Sequence, residues 1–311
     1  MAKWDSMTNS GSMEGILSTP KLCSIIIVTY NSSSCIGACL GPLLNISDVE
    51  LVVVDNDSKD GTSAKLQKDF PQVTLIALQD NIGFGRACNI GLAASCGSFI
   101  LFLNPDTIAR GGAIRTLIQF FEEHPRVGII GGRLIDPSGR PLQSMGDTPS
   151  LTDLVLDKPL AWLAKRVGSQ GFFRRMLGRC STKFCMPQEA EPVAWVSGAF
   201  LCCRRSILDK IGGFDEKFFL YYEDVDLCLR VTQAGWEVWH VPEAVVEHQS
   251  GASFGGDLNK QKEVYYANQY YFFRKHFGRL VAFALWVLQS IYSRLGLYRR
   301  LGTDRIGRAQ L

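Results

Sequence analysis

Carboxylates recur in this sequence where apolar runs stop. Asp55 closes Leu51-Val-Val-Val, and Asp106 follows Phe99-Ile-Leu-Phe-Leu-Asn-Pro. Glu223, Asp224 and Asp226 follow Phe218-Phe-Leu-Tyr-Tyr. Each placement has a chemistry. A carboxylate at a strand end can accept hydrogen bonds from a ribose or from a base imino N–H. One after a second strand end can hold Mg²⁺ or Mn²⁺ on a diphosphate, since these ions take carboxylate and phosphate oxygens. One entered from aromatic residues sits in a partly dry setting, which raises its pKa toward the range useful to a general base. His248, in Ala244-Val-Val-Glu-His-Gln-Ser250, could share such a cation with a distant Asp.

Each residue also has a plainer explanation. Asp106 could cap a helix beginning near Thr107. A single His is commonly a satisfied polar side chain. Glu223 and Asp224 would start a helix running to about Ala234, with Gly235 just past its end, and acids in a first turn suit the helix dipole. Asp226 and Arg230 are spaced for an i,i+4 pair, which is our reading of Asp226. Capping and pairing leave the aromatic approach to Asp224 unexplained.

The elements that must position these residues are legible as a repeat. Apolar runs at 23–28, 51–54, 73–78, 99–103 and 127–130 are continuous rather than alternating. That pattern suits strands buried on both faces of a parallel sheet. Helical stretches at 34–44, 62–70, 86–95 and 109–124 lie between them. The alternation predicts βαβ units in an α/β fold, with ligands at the carboxyl ends of the strands. Beyond residue 132 we expect a hairpin at 135–140 and a helix near 151–167. A strand at 193–203 would be interrupted by Ser197-Gly198, and a further strand would span 236–241.

Bulk properties narrow the function classes. The chain has 311 residues, 46% hydrophobic and 20% charged, with a net charge of +3. That charge is too small to argue for nucleic acid. Its ten cysteines contain no Cys-x-x-Cys pair, so they read as buried thiols of a reducing compartment. Residues 1–20 read as a disordered leader without a signal-peptide core. A dinucleotide-dependent oxidoreductase is disfavoured. The first strand lacks a Gly-rich turn, and Gly83-x-Gly85 has Cys at position 88.

The tail has its own character. The region 260–277 reads as an aromatic helix, and the apolar run 280–288 is well short of the about 20 residues that a spanning helix needs. From Arg274 onward the tail carries a single acid, Asp304, among many basic residues. Such a segment suits an anionic membrane surface, or else packing on the domain or on a second copy as a homodimer.

Seven motifs in order give the sequence a family likeness. They are Ser24-Ile-Ile-Ile-Val-Thr-Tyr-Asn31, Val53-Val-Asp-Asn-Asp-Ser58, Asn81-Ile-Gly-Phe-Gly-Arg-Ala-Cys-Asn89, Phe102-Leu-Asn-Pro-Asp106, Val196-Ser-Gly-Ala199, Gly213-Phe-Asp215 and Tyr222-Glu-Asp-Val-Asp-Leu227. Together they resemble the family 2 inverting glycosyltransferases of GT-A fold, in the rhamnosyltransferase-like branch of bacterial cell-surface glycan synthesis. The resemblance covers roughly residues 22–255.

The resemblance implies a GT-A domain over 21–256, with a nucleotide-sugar half at 21–132, an acceptor half at 133–256 and C-terminal helices at 257–311. It implies that Thr29, Asn31 and Asp55 hold base and ribose. Asn81, Gly83, Phe84, Arg86 and Asn89 would line the donor site. Asp106 and His248 would bind a divalent metal, Mg²⁺ or Mn²⁺. Asn104 stands where the family has the first acid of its Asp-x-Asp, which weakens the metal site by one carboxylate. Ser197, Gly198, Ala199 and Glu223 would border the sugars, and Asp224 would be the catalytic base, with the aromatics before it forming a wall of the acceptor site. The implied donor is a dTDP-sugar such as dTDP-rhamnose, ahead of UDP- or GDP-sugars. The implied acceptor is a lipid-linked sugar or oligosaccharide at the cytoplasmic face of the plasma membrane. A non-catalytic nucleotide-sugar-binding subunit is the alternative, and retention of Asp55, Asp106, Asp224 and His248 argues against it.

Overall fold

The computed structural model describes residues 22–110, 112–150, 187–249 and 258–294. The leader and the helix expected near 151–167 lie outside the described residues. The first four long strands are β1 (Cys23–Thr29), β2 (Val49–Asp55), β3 (Thr74–Ala77) and β4 (Phe99–Leu103). They form the parallel order β3-β2-β1-β4, as the continuous apolar runs predict. Every residue of β1 and β4 is buried. Alternation survives inside these runs as a division between two cores. Ile25 and Ile27 pack on one side of the sheet, against α1 (Ile36–Leu43) and α4 (Ala113–Glu123). Ile26 and Val28 pack on the other, with Ala87 and Cys88 of α3 (Phe84–Ala93). Helix α2 (Thr62–Asp69) covers β3 near the sheet edge. β3 is a departure from expectation: as an edge strand it leaves Thr74 and Ala77 exposed.

Beyond β4 the topology is not a simple continuation. β5 (Thr107–Ala109) is a strand, and α4 begins only at Ala113. Asp106 is therefore not a helix N-cap. β6 (Val127–Ile135) runs past Ile130 and turns through Asp136, whose carboxylate accepts from the Ser138 and Arg140 amides in the expected tight turn. The expected 193–203 strand is two strands. β9 (Trp195–Val196) pairs with β7 (Met145–Gly146) in a small second sheet. β10 (Phe200–Arg204) enters the main sheet antiparallel between β4 and β6. Ser197-Gly198 is the crossing between them. β11 (Glu237–His248) extends the expected 236–241 strand, because a register shift between Val241 and Val245 absorbs Pro242. β11 pairs with β6, β5 and the short β8 (Glu191–Pro192), which completes a nine-stranded sheet.

After β10 come α5 (Arg205–Ile211) and α6 (Glu223–Gln233). The chain then ends its described part in a helical hairpin, α7 (Leu258–His276) and α8 (Arg279–Arg294). Gly278, at φ +91°, makes the bend between them. The aromatic face of α7 is covered by the segment that leads into α6. Phe272 and Phe273 are fully buried with Phe218, Tyr221, Tyr222, Ala282 and Leu285. Burying each such large side chain stabilises by about 1.5–3 kcal/mol. This corrects the acceptor-wall expectation. Phe218, Tyr221 and Tyr222 face the C-terminal hairpin, and only Phe219 of the four stays exposed. The face of α7 is too apolar to remain in water, and it takes the nearest aromatic partners.

A buried ion cluster locks this packing. The Asp226 carboxylate is fully buried. It accepts from Arg230 at 2.7 Å, as the i,i+4 spacing predicts, and also from Lys275 at 2.6 Å and His276 at 2.7 Å. Burial alone would raise its pKa. The hydrogen bonds from His276 and Lys275, with the Arg230 charge, outweigh that and hold it below the usual carboxylate value. Lys275 also reaches Asp215 at 2.7 Å, and Arg230 donates to the Ile211 and Gly213 carbonyls.

Candidate active site

The parallel register places Thr29 beside Asp55 at the carboxyl end of the sheet. Thr29 Oγ1 donates to Asp55 Oδ1 at 2.8 Å. The Ser58 and Ser63 hydroxyls also donate to Asp55, so this buried carboxylate sits in a ring of hydroxyls. Asn31, at φ +52°, accepts from the Lys59 amide through its side chain and donates its own N–H to Ser58. A network of amides continues the site. Asn56 Nδ2 donates to Asn81 Oδ1 at 3.0 Å, and Asn56 Oδ1 accepts from the Ile82 N–H. Gly83 lies at φ +90°, and a Cβ there would stand 2.6 Å from the Phe219 carbonyl oxygen. That close approach lets the Phe84 N–H donate to the same oxygen at 2.8 Å. Asn89 points elsewhere. Both ends of its amide bond the Phe214 backbone, at 2.9 and 2.8 Å, so it braces the site from behind. Arg86 is half exposed near Glu216.

Asp106 and His248 meet, although 142 positions separate them in the chain. His248 ends β11 opposite Thr107 of β5. Its Nε2 lies 3.1 Å from Asp106 Oδ1 and 3.3 Å from Asn104 Nδ2. A ring nitrogen between a carboxylate oxygen and an amide donor cannot satisfy both, and Nδ1 is buried without a partner among the described residues. Asp106 and His248 together fit as two ligands of a divalent cation. No cluster of three or more His, Cys, Asp or Glu able to hold a metal occurs among the described residues. Such an ion would therefore complete its shell with substrate phosphate oxygens and water.

The Asp106–His248 pair connects to Asp224 through the Ser197–Ala199 turn. The Asn104 N–H donates to the Ala199 carbonyl at 3.1 Å, and the Gly198 N–H donates to Asp224 Oδ2 at 3.0 Å. Phe84 closes in on the same glycine, where an added Cβ would lie 3.4 Å from its ring. Asp224 Oδ1 accepts from the Val225 N–H at 2.8 Å. Tyr221 and Tyr222, at φ +74° and +71°, deliver the chain into α6. Two adjacent left-handed non-glycine residues cost on the order of 1–3 kcal/mol each.

The acids of α6 divide sharply. Among the described residues, neither Glu223 nor Asp224 has an ion-pair partner. Burial raises the Asp224 pKa, against the backbone N–H bonds that lower it. Burial, with the neighbouring Asp224 charge, pushes Glu223 well above the usual carboxylate value. Glu223 Oε2 has no hydrogen-bond partner. The pair therefore holds a proton more readily than Asp226 does.

Sequence reasoning missed three contributors. Ser58 lies within a quoted motif and Ser63 beyond it, yet neither hydroxyl was expected on Asp55. Asn56 was not expected to bridge the second and third strand ends. Asp-Asn-Asp-Ser at a strand end is a detectable turn signal, but the distant partners are not.

Glu223→Gln tests the cost of this arrangement. A carboxyl whose folded pKa lies above its unfolded value binds its proton more tightly when folded. Its stabilising contribution is full below the unfolded value, about 4.3, and is lost as pH rises through the folded one. Glu223→Gln should thus melt above wild type at pH 7–8, with the gain vanishing near pH 4. Relief of one kcal/mol corresponds to about 2–4 °C. A melting difference that does not change with pH would contradict the assignment.

The chain is similar to known proteins over most of its length. The family described as "Glycosyltransferase like family 2" matches residues 20–266. An N-acetylglucosaminyl-diphospho-decaprenol L-rhamnosyltransferase of Mycobacterium tuberculosis is 30% identical, over 86% of this chain and 89% of that protein. The rhamnosyltransferase WbbL of Escherichia coli K12 is 29% identical, over 70% of this chain and 80% of that protein. In fold, the chain is similar to a mannosyltransferase of Pyrobaculum calidifontis solved with GDP-Man and Mn²⁺. The TM-score is 0.51 at 17% identity, covering 76% of this chain and 59% of that one. The central sheet flanked by helices is the GT-A fold, and the chain belongs to glycosyltransferase family 2.

Proposed function

We propose that this enzyme transfers L-rhamnose from a dTDP-sugar to a hydroxyl of a lipid-linked acceptor, a sugar on polyprenyl diphosphate, with inversion at the anomeric carbon. The observation that carries the reading is Asp224. It is a buried carboxylate with no cation on it among the described residues, aimed by the Gly198 N–H into a turn that also contacts the Asp106–His248 end of the site. The names of the two rhamnosyltransferase relatives support the sugar and the acceptor class.

The chemistry follows from charge. The acceptor hydroxyl attacks the anomeric carbon while the C–O bond to the nucleoside diphosphate breaks. Asp224 takes the hydroxyl proton, and the raised pKa of its site makes it a better proton acceptor once ionised. A divalent cation on Asp106 and His248 would supply charge neutralisation to the departing diphosphate. Asp55, inside its ring of hydroxyls, holds base and ribose on the far side of the Asn56–Asn81 bridge. A direct displacement needs no carboxylate nucleophile.

The outer face of α8 fits the acceptor. Leu280 is 86% exposed, and Phe283, Trp286 and Ile291 are exposed beside it, between Arg279 and Arg294. No helix of the described residues is long and apolar enough to cross a membrane. An amphipathic helix with flanking arginines suits an anionic bilayer surface, where a polyprenyl diphosphate resides.

Two experiments check these statements. With dTDP-rhamnose and N-acetylglucosaminyl-diphospho-polyprenol, Asp224→Asn should lower turnover by roughly 10²–10⁴-fold. In the same assay, a chelator should abolish wild-type transfer and Mn²⁺ or Mg²⁺ should restore it. Near wild-type turnover in Asp224→Asn would remove the base assignment, and indifference to chelator would remove the metal. For the surface, wild type should co-sediment with vesicles containing phosphatidylglycerol, and Trp286→Asp should not. Equal sedimentation of both, or a stable dimer without vesicle binding, would overturn the membrane reading.

A further inference from the structure

We infer that the C-terminal hairpin is a working part of the catalytic centre, with Gln269 and Asn268 of α7 as positioning residues for Asp224. The inference rests on Asp224 being the base. Its starting point is the strap that enters α6. Tyr221 and Tyr222 both hold the left-handed backbone conformation, which aromatic L-residues leave unless held. The next turn of chain carries Asp224. Relaxation of either tyrosine would rotate the start of α6 and swing the carboxylate away from the Gly198 N–H.

Three buried amides of α7 hold the strap, each on a successive residue. Asn268 Nδ2 donates to the Leu220 carbonyl at 2.7 Å. Gln261 Nε2 donates to the Tyr221 hydroxyl at 2.7 Å. Gln269 Nε2 donates to the Tyr222 hydroxyl at 2.6 Å. Gln261, Asn268 and Gln269 are 4%, 7% and 2% exposed, within an interface that is otherwise aromatic and aliphatic. Packing alone would be served by apolar residues, since a buried amide must be repaid by its hydrogen bonds. The far end of Gln269 is also used: its Oε1 accepts from Gln289 Nε2 of α8 at 2.6 Å. A continuous chain therefore runs from α8 through Gln269 to the residue just before Glu223. Farther along α7, Lys275 and His276 hold Asp226 on the same catalytic helix. The hairpin thus grips the strap and the body of α6, with Asp224 between the two grips.

The test uses the full chain with dTDP-rhamnose and N-acetylglucosaminyl-diphospho-polyprenol. Gln269→Leu should lower kcat by roughly ten- to a hundred-fold, the scale of a displaced catalytic group. The donor KM and the calorimetric Kd for dTDP should stay within about two-fold. The acid limb of the kcat–pH profile should move, because Asp224 changes surroundings. Tyr222→Phe removes the hydroxyl and keeps the ring, so it should give the same kcat loss. The double variant should lose no more than either single one. A merely structural Gln269 would lower the melting temperature and leave kcat per folded molecule and the pH profile unchanged, and that result overturns the inference. If Gln269→Leu does not fold, Tyr222→Phe decides by the same criterion. If wild type transfers nothing, the function reading fails instead. Amide exchange then decides positioning: exchange at Val225 and Gly198 should speed about ten-fold in Tyr222→Phe, and unchanged exchange overturns it.

Discussion

A carboxylate taken out of water must be paired, hydrogen-bonded or protonated, and α6 buries three within four residues. The molecule resolves that constraint differently for each. Asp226 receives three side-chain donors, Arg230, Lys275 and His276, two of them from a helix some fifty residues away. Removing one partner of such a buried cluster typically costs about 3–5 kcal/mol, so the cluster pins α7 to α6. Among the described residues, Asp224 receives two backbone N–H groups and no cation, and Glu223 receives neither a cation nor a partner for Oε2. The same turn of helix thus contains an anchor whose pKa is held down by its donors and a pair of acids whose pKa is raised by burial.

This division organises the rest of the site. The ionised anchor needs Lys275 and His276, which brings α7 against the strap at 218–222 and hides its aromatics. The protonatable acids need a dry place with a few directed N–H groups. The Ser197–Ala199 turn supplies it, because the chain there leaves the small sheet and inserts β10 antiparallel between β4 and β6. That insertion also carries Ala199 to Asn104, so the end of β4, the Asp106–His248 pair and Asp224 share one short stretch of backbone.

Much of this was legible in the sequence. β1, β2 and β4 read directly from continuous β-branched runs, and their polar ends marked Thr29, Asp55 and Asn104. Asp226–Arg230 read from helical spacing alone. The failures have a common physical cause, which is pairing between distant segments. Three residues, Thr107–Ala109, are a strand only because β11 passes beside them, so local propensity favoured a helix and made Asp106 look like a cap. The edge position of β3 and the insertion of β10 are likewise set by strand order, which no local run encodes. The strap aromatics looked like an acceptor wall because the partner that covers them lies beyond residue 258. Seven ordered motifs identified the family, yet the amides of α7 that grip the strap belong to none of them.

The central claim is that one buried base, Asp224, drives a single displacement with no covalent sugar intermediate. The anomeric configuration of the product tests it most directly. One-bond carbon–proton coupling at the anomeric centre of the transferred sugar, compared with that of the dTDP-sugar donor, reports whether the configuration has changed. The account predicts complete inversion. A product that keeps the donor's configuration would require a second displacement or a front-face mechanism, and would contradict it.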